Sequence, residues 1–70
     1  MTAEEKDALL TIVRQYAKLV LAEPATYADD YGVASLIAVE VLRVSYGEKE
    51  AMKIVDDIGN QVKKKLMVTI

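Results

Sequence analysis

From Val33 to Tyr46 the chain carries only two charged residues, Glu40 and Arg43. Wound as an α-helix, those two share one narrow stripe. Apolar side chains take the rest of the circumference, apart from Ser35 and Ser45. A helix that is apolar on nearly every side has to be wrapped by neighbours. In a chain of 70 residues, two flanking segments are all that is left for that task. Val33, Ile37, Val39, Val41 and Val44 are β-branched and open a strand reading. The length of the run, its alanines and leucines, and the lack of sustained alternation favour helix.

Both flanking segments read as helices too. Thr2-Ala3-Glu4-Glu5 has capping-box spacing. The apolar residues from Leu9 to Leu21 then form an arc of about 200° at ~100° per residue. An arc that wide suits two neighbours rather than one. Pro24 ends this first helix near Ala22 or Glu23. Thr26 and Asp29 match a second capping pattern, so the second helix is expected to start near Tyr27 and run through Gly32 to Ser45 or Tyr46. Gly32, inside that helix, is expected to admit a close neighbour. Gly47 suits the helix end. From Glu48 onward, Ala51, Met52, Ile54, Val55, Ile58, Gly59, Val62 and Leu66 lie on a third apolar arc of about 160°. Acids in its first turn and Lys63, Lys64 and Lys65 in its last complement the helix dipole. The apolar end, Leu66 to Ile70, is expected to dock on the core or on a second copy.

The expected fold class is therefore all-α: one helical domain over residues 1–70, with three helices and the apolar one central. Composition adds the expectation of a homo-oligomeric bundle. The chain is 53% hydrophobic, with a mean hydropathy of +0.16. A chain this short has a marginal core, and oligomerisation is a common remedy. Disulfides are excluded, because there is no cysteine. The residues expected at the oligomer interface are Leu10, Ala17, Leu21, Glu40 and Arg43.

Functional classes narrow by elimination. There is no histidine, cysteine, glycine-rich phosphate loop or nucleophile elbow, so catalysis is not expected. No cofactor is implied. Asp56, Asp57 and Asn60 lack the alternating oxygen spacing and glycine turn of a calcium loop, so no metal site is expected. A net charge of −2 speaks against nucleic acid, although Lys6, Arg14 and Lys18 line one side of the first helix. The acidic N-terminus does not read as a signal peptide, and no uncharged run approaches ~20 residues, so a cytoplasmic protein off the membrane is expected.

What remains is a protein-interaction module, a self-associating regulator or inhibitor with a protein partner. Tyr27, Asp29, Asp30 and Tyr31 are its candidate contact residues, because tyrosine supplies contact area at low entropic cost and aspartate supplies charge selectivity. The alternatives are a nucleic-acid-binding regulator, or an oligomer holding a small anionic ligand between its copies.

Overall fold

The computed structural model describes residues 1–68, excepting the side chains of residues 66–68. It shows three helices: α1 (Ala3–Ala22), α2 (Pro24–Tyr46) and α3 (Glu48–Val68). No strand occurs among the described residues. Local chemistry accounts for the boundaries. At the start of α1 the Glu5 N–H donates to Thr2 Oγ1 at 3.1 Å, and the Thr2 N–H donates to the Glu5 carboxylate at 2.9 Å. That donation from the Thr2 backbone, with the Thr2 side chain second, holds the Glu5 carboxyl below its ordinary range.

Glu23 alone separates α1 from α2. Pro24 opens α2, where its fixed φ suits the first helical position and its missing N–H costs nothing. The helix thus begins earlier than the capping pattern implies. Thr26 and Tyr27 already donate their N–H groups to the Glu23 carbonyl, so Thr26 lies in the first turn and is no cap. Gly47 makes the second connection at φ 84°, a backbone region that disfavours L side chains. Its N–H closes α2 on Arg43, and its carbonyl accepts the N–H of Ala51 to start α3.

Each helix packs on both of the others. Leu10, Val13 and Ala17 of α1, Ala38 and Leu42 of α2, and Ala51, Val55, Ile58 and Val62 of α3 are buried. Among the described residues no charged or polar residue is buried, although the hydroxyl oxygen of half-buried Ser35 is enclosed without a hydrogen-bond partner. Lys6 places its ammonium 4.9 Å from the centre of the Tyr46 ring, which ties the start of α1 to the end of α2.

Two expectations need correction. First, α2 is not enclosed: α1 and α3 cover one side, and the described residues leave the other side open. Second, Gly32 admits no close neighbour, since a Cβ built there meets nothing within 4 Å. The close approach occurs at Gly59, where a Cβ would sit 2.6 Å from the Tyr31 hydroxyl oxygen. Alanine is the better helix former by about 1 kcal/mol. Gly32→Ala is therefore expected to gain about that much stability, measured by urea unfolding. Gly59→Ala should gain nothing or lose, because the half-buried Tyr31 ring must move. The apolar end, residues 66–70, lies outside the described side chains.

Candidate interaction surface

The open side of α2 follows from the helix's even distribution of apolar residues. Its inward arc carries Ala38 and Leu42, with Tyr31, Ala34, Ser35 and Val39 half-buried. Its outward arc is equally aliphatic. Val33 is 57% exposed, Leu36 63%, Ile37 55%, Val41 41% and Val44 85%. At ~100° per residue these five cover about 140° of the helix. Together they open roughly 500 Å² of aliphatic surface, at the upper end of what a monomer usually presents in one patch. Two neighbours extend the patch. Met1 borders it beside Leu36 and Val44, and Ile12 borders it across the α1–α2 cleft beside Val33 and Ile37.

Glu40 lies within this face and Arg43 at its edge. Their side chains are about half exposed and form an ion pair at 3.2 Å. A surface pair of that kind contributes a few tenths of a kcal/mol.

The other expected interface residues divide. Leu21 is exposed at the end of α1, but Leu10 and Ala17 are buried in the chain's own core and have no surface to offer a second copy. The two neighbours that the wide apolar arc of α1 calls for are α2 and α3 of the same chain, although Ile12, Leu19 and Leu21 of that arc stay exposed.

The candidate partner residues also divide. Tyr27, Asp29, Asp30 and Tyr31 all sit on the first turns of α2, not on a loop. Tyr27 and Tyr31 are half-buried, and Tyr31 packs against the core cluster with its hydroxyl over Gly59. Asp29 and Asp30 are exposed. The wheel puts the aspartates at the outward face and the tyrosines on the inward side, so the four do not converge on one patch.

The structure also assembles a group that linear reading left apart. Arg14 and Lys18 of α1 and Gln61 and Lys65 of α3 line one small cleft. Arg14 approaches Asp7 at 3.9 Å. Only the crossing of α1 and α3 brings these cations together, so no spacing in the sequence signals the cleft. Among the described residues no group of three or more His, Cys, Asp or Glu is placed to hold a metal ion. None of their helices is long and apolar enough to cross a membrane. Comparison with protein-family models, with curated proteins and with solved structures finds no match to this chain.

Proposed function

We propose that this protein is a non-catalytic helical interaction module that works as a homo-oligomer and regulates or inhibits a protein partner. The observation that carries this reading is the outward aliphatic face of α2. Exposing roughly 500 Å² of largely aliphatic surface on one face is costly in water, and the largest patch on a monomer, of about that size, is often functional. A chain of 7.7 kDa has little else with which to stabilise itself. Self-association explains the face; the partner surface is then what the oligomer leaves open, namely the outer sides of α1 and α3 with Asp30 at the α1-side rim of α2, on the flank away from Leu36.

Sedimentation velocity across micromolar concentrations tests the first half. The expected mass is a small multiple of 7.7 kDa; a helical monomer throughout would overturn it. Affinity capture from a cell extract, with wild type beside Asp30→Lys, tests the second. A stoichiometric protein that the substitution loses is expected.

The cleft of Arg14, Lys18 and Lys65 favours a second reading, an anionic ligand or a nucleic acid. Exposed Glu50, Asp56 and Asp57 on α3 oppose a phosphate backbone. Salt-sensitive retention on immobilised nucleic acid, with no protein captured, would shift the reading that way.

A further inference from the structure

We propose that a second copy of the chain docks antiparallel on the outward face of α2, with Leu36 against its counterpart on the two-fold axis and Asp29 of each copy facing Arg43 of the other. The proposal rests on the self-association reading and supplies its geometry.

Two observations choose the occupant and its direction. One is area. Roughly 500 Å² of largely aliphatic surface, with the exposed flank of Asp29, Glu40 and Arg43 added, comes near the ~800 Å² per partner of a standard interface. The face is also self-complementary in kind: mostly aliphatic, with its one central charge, Glu40, paired to Arg43 and the aspartates at its N-terminal end.

The other observation is the order of charges. Asp29, Leu36 and Arg43 are spaced by seven residues each. A heptad drifts only ~20° around a helix, so the three lie on one flank of the exposed arc. Asp29 and Arg43 stand about 10.5 Å to either side of Leu36. In a closed two-fold contact, residue i meets j and j meets i. An antiparallel pair centred on Leu36 therefore sets acid against base twice. A parallel pair would set Asp29 on Asp29, Glu40 on Glu40 and Arg43 on Arg43, which costs energy at every charge.

The absence of cysteine makes the test direct. Leu36→Cys and Val44→Cys are made singly, both at exposed positions, and the purified proteins are oxidised. A disulfide needs Cα atoms within about 7 Å. Cys at 36 is expected to cross-link each copy to its mate across the axis. Two copies of position 44 stand about 24 Å apart in this arrangement and should stay reduced. In parallel, Asp29→Arg and Arg43→Glu are each expected to weaken self-association at least tenfold, and an equimolar mixture of the two to restore it as a heterodimer.

Cross-linking at both cysteines would mean a parallel pair, and cross-linking at 44 alone another register; either overturns the proposal. A dimer by sedimentation that cross-links at neither position and ignores the charge reversals overturns the geometry and leaves self-association standing. A sedimenting monomer overturns both.

Discussion

Leu42→Asp is expected to abolish folding. Leu42 is 0% exposed and, with Val13, is one of the two largest side chains fully enclosed by the helices. Truncating a leucine in such a place costs about 2–5 kcal/mol in lost transfer energy and cavity. The carboxylate adds the penalty of a buried, unpaired charge, because no charged residue among the described ones is buried to pair with it. A domain of this length holds roughly 4–10 kcal/mol in total. The sum reaches or exceeds that reserve, so the helical circular dichroism signal should collapse at 25 °C.

The neighbouring position sharpens the prediction. Val41 lies ~100° around the helix and is 41% exposed. The sequence places it inside with Leu42; the structure places it on the outward face, so Val41→Asp should keep the helical signal. Asp57→Ala, on the solvent side of α3, should change stability by no more than about 0.5 kcal/mol. Equal melting temperatures for Leu42→Asp and Asp57→Ala would contradict the packing described.

The second large effect falls on association instead of folding. Val44→Asp and Leu36→Asp are expected to leave each chain helical and to weaken self-association by about a hundredfold or more. At 85% and 63% exposure neither side chain contributes much to the core. In a closed dimer each substitution buries two carboxylates in aliphatic surroundings, and about 2.7 kcal/mol already corresponds to a hundredfold. Sedimentation equilibrium measures the change, with circular dichroism recorded on the same samples. Undiminished association of both variants would remove the outward face of α2 from any interface.

These two predictions concern the same helix, and the contrast between them shows how far the sequence reaches. The extents of α1 and α3 were legible because their signals are local. A capping box at Thr2 and Glu5, a proline at 24 and a glycine at 47 each act within one turn of the backbone. The start of α2 was misread by a few residues. Two local signals competed there, and a proline already suited to the first turn prevailed over the Thr26–Asp29 pattern. The buried arc of α3 was legible as well, since Ala51, Val55, Ile58 and Val62 stand opposite a polar face.

The candidate site was legible only in part. The sequence singled out Glu40, Arg43 and the aspartates, all of which the structure exposes. It also singled out Leu10 and Ala17, which the core absorbs, and it treated Tyr27 and Tyr31 as companions of the aspartates. Adjacency in sequence is not adjacency in space on a helix, where each step turns ~100°.

By itself, then, the sequence determined that this chain forms three helices, where two of them lie, and that the middle one carries apolar residues on nearly every side between Val33 and Tyr46. Only tertiary structure decided which side of that middle helix is buried. An amphipathic helix announces its inward face through its polar one, whereas α2 offers two aliphatic arcs of nearly equal merit. The choice between them depends on how α1 and α3 meet it, a matter of shape and volume between segments distant in the chain.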